Sequence, residues 1–205
     1  MLNFSKHLCN KCVSPHTAES VTFDKQGLCS VCNQIEYKNE KIDWKQRSNE
    51  FEKLLKDFKN KSDYDCIVPF SGGKDSTFTL WYLVKVKKLK CLVVSFDHGF
   101  YRPQHIKNRK KTLQILGQDY LQFSPNFKLV RSLMLESLER KGDFCWHCHT
   151  GIFSYPMRIA VKFQIPLIIW GEPTGEYASF YSYDEKEEVN EERFNRFINL
   201  GINAE

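Results

Sequence analysis

Apolar positions change period several times along the chain, and each change marks an element. Phe51, Leu54, Leu55 and Phe58 recur at i, i+3, i+4, i+7, with Trp44 seven residues before Phe51. That spacing predicts an amphipathic helix over 43–60. Residues 65–70 (Asp-Cys-Ile-Val-Pro-Phe) are then a short, mainly apolar run, which predicts a buried strand, followed by a turn at 71–76 and a helix over 77–86. A second apolar run at 91–96 predicts another strand, 105–116 a helix stopped by Gly117, and 119–123 a third strand. Helices follow at 127–141, with Gly142 as its stop, and at 149–163. Residues 166–170 (Pro-Leu-Ile-Ile-Trp) read as a fourth strand closed by Gly171 and Glu172. The charged tail, 184–205, reads as helical, with Phe194, Phe197 and Ile198 on one face.

Strands alternating with helices predict an α/β fold, a parallel sheet with helices on both faces. Ligands of such folds bind beyond the carboxyl ends of the strands. The loops at 71–76, 97–99 and 171–176 fall there, and they carry the most suggestive side chains. Residues 1 to about 34 stand apart: they are rich in Cys, His, Asn and Ser and poor in aliphatics, and read as a small appendage without a core of its own. The expected organisation is a small zinc-ribbon-like segment with four cysteines at 1–40 and an α/β domain over 41–205.

Composition narrows the classes. A hydrophobic fraction of 41% and aromatics at 14% suit a globular chain of 205 residues. The net charge of +5 falls short of a dedicated nucleic-acid domain. The basic runs Lys85, Lys87, Lys88, Lys90 and Lys107, Arg109, Lys110, Lys111 read as solvated helix faces. No uninterrupted apolar run approaches the ~20 residues of a membrane span. The first twelve residues carry Lys6, His7 and Lys11 and no signal-peptide core. A cytoplasmic protein is expected, with no membrane partner.

Ser71-Gly72-Gly73-Lys74-Asp75-Ser76 sits between a strand and a helix. Two glycines allow a tight turn and close approach to a ligand. Successive N–H groups at a helix N-terminus attract an anion, and Lys74 adds a cation. The spacing is shorter than that of the nucleoside-triphosphatase loop G-x-x-x-x-G-K-[ST], and Asp follows the Lys. Asp97-His98-Gly99 ends the second strand: Asp97 is either a ribose or Mg²⁺ contact or a local turn cap. Glu172 is either a Mg²⁺ ligand or substrate contact, or a surface carboxylate; Glu176 and Tyr177 follow it.

Eight cysteines are present. Cys9-x-x-Cys12 and Cys29-x-x-Cys32, sixteen residues apart, match a four-thiolate zinc pattern. Residues 23–27 would form the hairpin turn of a zinc ribbon. Cys145-Trp146-His147-Cys148-His149 precedes a predicted helix, whose N-terminus favours thiolate. This pair reads either as a second metal, iron–sulfur or redox site, with His147, His149 or another chain completing it, or as packed reduced thiols. Cys66 and Cys91 read as core.

The loop resembles the Ser-Gly-Gly-x-Asp-Ser signature of the PP-loop ATP pyrophosphatases. The ordered set of cysteine knuckles, Ser71–Ser76, Phe96-Asp97-His98-Gly99, Cys145–Gly151 and Gly171-Glu172 looks like the N-acetyl sugar amidotransferase family of that superfamily, which serves lipopolysaccharide O-antigen and flagellar-glycan biosynthesis. The resemblance covers nearly all of the chain. It implies a HUP-like, adenine nucleotide alpha hydrolase-like fold and an AMP-forming reaction with ATP and Mg²⁺. Ser71, Gly72, Gly73, Lys74, Asp75 and Ser76 would hold the outer phosphates, Lys74, Asp75 and Ser76 acting in catalysis, with Asp97, His98, Gly171 and Glu172 around the nucleotide. The acceptor would be the acetamido oxygen of a sugar or nucleotide-sugar, replaced by ammonia. No Cys stands at position 2 or on a Gly-flanked turn, so a separate glutamine amidotransferase subunit is expected to supply ammonia. Members of that family are longer, which implies a chain incomplete at its C-terminus. The alternatives are a tRNA-thiolating PP-loop enzyme using Cys145 and Cys148, the one reading with a nucleic-acid partner, and an inactive nucleotide- and zinc-binding fragment.

Overall fold

The unbroken apolar runs form the middle of a parallel sheet. In a computed structural model, which describes residues 8–17 and 21–172 with Tyr183, Glu191, Phe194, Asn195 and Asn199, strand β1 (Cys66–Pro69) pairs with β2 (Cys91–Phe96) and β2 with β3 (Asp119–Phe123), all parallel. Every residue of β1 is buried, as are five of six in β2, whereas β3 is largely exposed. Helix-covered central strands need apolar side chains on both faces, which is why these two read as continuous runs. Cys66 and Cys91 face each other in register and are fully buried, in keeping with their reading as core.

The chain divides into two compact units, Met1–Glu52 with Pro173–Val189, and Lys53–Glu172 with Asn190–Glu205. In the second, β1 leads to α3 (Lys74–Trp81), which continues as a π-helical turn at Tyr82–Val86. β2 leads to α4 (Pro103–Leu116), and β3 to α5 (Phe127–Lys141) and α6 (Trp146–Phe163). Pro103 opens α4, where a missing N–H is harmless, and Gly117 closes it in the left-handed conformation. Ile67, Leu92, Val94, Ile159 and Ile165 form the core between sheet and α6.

The expected fourth strand is shorter than predicted. Of residues 166–170, only Ile168 makes a parallel bridge, to Ile67, while the Ile67 N–H donates to the Leu167 carbonyl and the Ile169 N–H to the Ile67 carbonyl. This segment lies on the edge of β1 away from β2. The chain therefore runs β1, β2, β3 in one direction and returns to the other side of β1.

In the first unit, the Cys-rich stretch has a small core of its own, contrary to the reading of a coreless segment. Cys9, Cys29 and Cys32 are buried against Val21, Phe23, Leu28 and Val31. Phe23 and Cys29 form an antiparallel bridge around Gly27, the hairpin expected at 23–27. A helix absent from the sequence reading, α1 (Ser30–Glu40), follows directly. The amphipathic helix predicted at 43–60 is α2 (Trp44–Phe58), capped by Asp43, whose Oδ1 accepts from the N–H groups of Lys45 and Gln46. Among the described residues no helix is long and apolar enough to cross a membrane. The predicted tail helix, like Glu176 and Tyr177, lies largely or wholly outside the described residues.

Candidate functional site

The sheet order places a topological switch point beyond the carboxyl end of β1, between its two neighbours. The loop 71–73 leaves β1 at this point and Gly171-Glu172 leaves the edge segment beside it. Ser95 Oγ donates to the Phe70 carbonyl and pins the end of β1 to β2. Gly72 has φ +83°, a conformation open to glycine, and Gly73 is the N-cap of α3. The helix therefore starts at Lys74, three residues earlier than the pattern predicted, because the loop itself supplies the first turn.

Loop hydroxyls tie the turn together. Ser71 Oγ lies 3.1 Å from Ser76 Oγ, the Gly72 N–H donates to Ser76 Oγ at 3.2 Å, and the Gly73 N–H donates to Ser71 Oγ at 3.2 Å. Lys74 Nζ pairs with both oxygens of Asp75, at 2.6 and 2.7 Å, while its side chain is 86% exposed.

At the end of β2, Asp97 Oδ1 accepts from the Gly99 N–H at 2.9 Å, and Oδ2 accepts from Gln122 Nε2 at 3.1 Å and Ser124 Oγ at 3.0 Å. The turn-cap arrangement is thus present, whatever else Asp97 does. His98 packs against Tyr101 with the rings tilted by 51° and their centroids 4.2 Å apart. Burial foremost pushes the His98 pKa below its ordinary value, against the pull of Asp97. Burial likewise raises the Tyr101 hydroxyl to about 12. Arg109, read from sequence as part of a solvated face, is instead 6% exposed: its guanidinium packs 4.4 Å from the Tyr101 ring centroid and its Nη2 donates to Gln122 Oε1 at 2.8 Å. Lys107, Lys110 and Lys111 remain exposed.

The third wall is α6. It begins at Trp146 rather than 149, because Asp143 Oδ1 accepts from the Cys145 N–H and the Cys145 carbonyl accepts from the N–H groups of Cys148 and His149. The Cys145–Cys148 turn is thus itself the first helical turn. The expected thiolate is not favoured at Cys148: burial foremost, with Cys145 beside it, pushes this thiol up to about 12. His147 is buried with neither ring nitrogen hydrogen-bonded. Among the described residues, no third metal-ligating side chain joins Cys145 and Cys148 at coordinating distance.

A cavity of about 440 Å³ opens between these walls. Ser71, Gly73, Lys74, Asp75 and Ser76 line one end. Phe96, His98, Tyr101, Cys148 and His149 line another part, and Phe153, Trp170, Gly171 and Glu172 a third. Gly72, Asp97 and Cys145 are not in the lining. Phe153 and Trp170 stack at 4.7 Å, an aromatic wall that the period of α6 did not reveal. Gly151 and Gly171 permit close approach. A Cβ on Gly151 would lie 2.3 Å from the Phe96 ring, and one on Gly171 3.1 Å from Ser76 Cα.

In the first unit, the four knuckle cysteines converge, their sulfurs all within 4.8 Å of one another. Cys9 and Cys32 sulfurs are 3.8 Å apart, Cys12 and Cys29 sulfurs 3.5 Å. A tetrahedral zinc with Zn–S of about 2.3 Å requires S···S of about 3.8 Å, close to these two separations, so the four thiols could hold a metal ion. The Cys12 N–H foremost, with those of Lys11 and Cys29, holds the Cys9 thiol down to about 6, against burial. Burial pushes Cys29 and Cys32 up.

No family model matches the chain. A curated, uncharacterised protein of Methanocaldococcus jannaschii is 25% identical over 173 residues, covering 80% of this chain. The chain spans 58% of the length of that relative. Among solved structures, an NH3-dependent NAD synthetase of Campylobacter jejuni in complex with nitrate is similar at a TM-score of 0.48 and 12% identity, over 69% of this chain and 66% of that one. A predicted subunit of tRNA methyltransferase from M. jannaschii is similar at a TM-score of 0.37 and 20% identity, over 58% of each chain.

Proposed function

We propose that the chain is an ATP-dependent, AMP-forming amidotransferase that activates the acetamido oxygen of a sugar or nucleotide-sugar and replaces it with ammonia, leaving an acetamidino group. The observation that carries this reading is the Ser71–Ser76 loop, of which Ser71, Gly73, Lys74, Asp75 and Ser76 line a cavity at the switch point of a parallel sheet. The Ser-Gly-Gly-Lys-Asp-Ser order and the remaining motifs support the choice of family.

In this reading the loop amides and Lys74 hold the β- and γ-phosphates. Lys74 exchanges Asp75 for phosphate, which releases a carboxylate into the cavity that Glu172 also lines. Mg²⁺, held by those two carboxylates, supplies neutralisation of phosphate charge when bound. The amide oxygen attacks the α-phosphorus, pyrophosphate leaves, and the amide nitrogen gives up its proton to leave an adenylated imidate. Ammonia then adds to the imidate carbon and AMP departs with the oxygen, leaving the acetamidino group as its amidinium cation. The protein's contribution is positioning and fixed dipoles. The aromatic wall of Phe153 and Trp170 offers an apolar face for a sugar ring. Ammonia comes from a separate glutamine amidotransferase subunit, the reaction takes place in the cytoplasm, and zinc in the Cys9 cluster orders the first unit.

The test is ATP–pyrophosphate exchange by the purified chain with a panel of nucleotide-linked N-acetyl sugars, followed by ammonium addition. The reading expects exchange with at least one sugar, then AMP and an amidine; ADP and orthophosphate as products would overturn it. A second reading, sulfur transfer to tRNA, is favoured by one observation, that Cys148 lines the cavity. Copurifying tRNA, with sulfur incorporation lost in Cys148→Ser, would select it.

A further inference from the structure

The proposed nucleotide site assigns no part to α4, yet this helix places two side chains against the phosphate loop. His105 and Arg109 are one turn apart. His105 Nε2 hydrogen-bonds to the Ser71 carbonyl, and its ring stacks on Tyr101, centroids 5.0 Å apart. Both side chains occupy the space left by the missing side chain of Gly72: a Cβ there would lie 3.1 Å from Arg109 Cβ and 3.1 Å from His105 Nε2. Beyond the loop, Arg109 reaches Gln122, which donates to Asp97.

Stability alone does not account for this arrangement. Arg109 is nine-tenths buried, and its Nη1 has no hydrogen-bond partner. A buried cation with an unspent donor costs more than an apolar side chain of the same shape. The geometry says what is gained. In a trans peptide the carbonyl and the following N–H point in opposite directions within one plane. A hydrogen bond on the Ser71 carbonyl therefore sets the direction of the Gly72 N–H, and through it the cavity-lining Ser76 Oγ to which that N–H donates, while the stem of Arg109 holds Gly72 at its positive φ.

We propose that His105 and Arg109 are positioning residues that brace the phosphate loop from behind, His105 by orienting the Ser71–Gly72 peptide and Arg109 by tying Gly72, through Gln122, to Asp97. The proposal rests on the nucleotide reading of the loop. It predicts that loss of the His105 donor weakens binding of ligands carrying the outer phosphates and spares AMP.

The test is calorimetric titration of the full chain with ATP, inorganic pyrophosphate and AMP. His105→Phe keeps the stack on Tyr101 and removes the donor; His105→Gln keeps a donor. Thermal unfolding of each variant is recorded first, and His105→Met replaces the Phe variant if that one does not fold. Loss of one hydrogen bond predicts about a fivefold weaker affinity for ATP and pyrophosphate in His105→Phe, with AMP unchanged and most of the loss restored in His105→Gln. Arg109→Met, which keeps the stem but not the Gln122 bond, should weaken AMP together with ATP. Unchanged pyrophosphate affinity in His105→Phe, equal weakening of AMP, or a Gln variant as poor as the Phe variant would each overturn the brace. Wild-type chain that binds neither ATP nor pyrophosphate would overturn the nucleotide reading beneath it.

Discussion

Gly151 shows how much of the cavity depends on a single missing side chain. With a Cβ only 2.3 Å from Phe96, Gly151→Ala must displace a ring that lines the site. Overpacking of this kind costs about 1–3 kcal/mol, read as a lower urea midpoint at unchanged slope. Gly171→Ala meets α3 instead, with Thr79 Oγ1 2.9 Å and Ser76 Cα 3.1 Å from the new Cβ. Its effect should appear first in ATP affinity, because the helix it pushes carries Ser76 of the loop. His98 carries a pH signature. Burial lowers its folded-state pKa below 6.5, so between the folded and unfolded values the unfolded chain binds more protons. Its contribution to stability is present above pH ~6.5 and is lost as pH falls through the lower, folded value. His98→Asn should flatten thermal stability against pH in that window; an unchanged slope would assign the titration elsewhere.

Among the elements, α6 departs most usefully from the sequence pattern. Its first turn is Cys145–Cys148, held by Asp143. Asp143→Ala should cost about 0.5–2 kcal/mol, measured by denaturant unfolding, and should fray the turn that places Cys148 and His149 in the cavity wall. The helix start was illegible because apolar period detects a buried face, and Cys145-Trp146-His147 carries the cap chemistry of a loop. The opposite error occurred at 166–170. Pro-Leu-Ile-Ile-Trp has the composition of a buried strand, but only Leu167–Ile169 reaches the ladder on β1. β1, β2, β3, α2 and α5 were legible nearly to the residue, since each has one dominant period and a clear stop. The loop was legible because its residue types have few other uses. Arg109, His105 and the Phe153–Trp170 wall were not, because what they do depends on which elements the sheet order brings together. A buried Arg within a Lys-rich helix has the same local sequence as an exposed one.

At the scale of the whole molecule, the two units have different reasons to be folded. The unit around Ile67 and Val94 has a sheet covered by helices and a continuous apolar core. The described core of the first unit is three buried cysteines and four half-buried apolar side chains, far less than a segment of this length needs to offset its conformational entropy. Backbone ties add specificity to the knuckles: the Asn10 N–H donates to the Gly27 carbonyl, Asn10 Nδ2 to the Gln26 carbonyl, and Asp24 caps the hairpin through Gln26, Leu28 and Asn33. None of these bonds supplies net stability of the order that a four-thiolate metal does, about 10–16 kcal/mol in isolated zinc-binding peptides. Two of the four thiols are pushed up by burial, so they lose their protons only where a cation compensates. The purified chain should therefore carry one zinc, lost in Cys29→Ser. Removing it with a high-affinity chelator should collapse hydrogen-exchange protection across Cys9–Glu40 while the amides of Ile67, Val68, Val93 and Val94 stay slow. Protection of the knuckles that survives both chelation and the Cys29 substitution would mean that the hydrogen bonds and the small core suffice, and that the four sulfurs converge without an ion to hold.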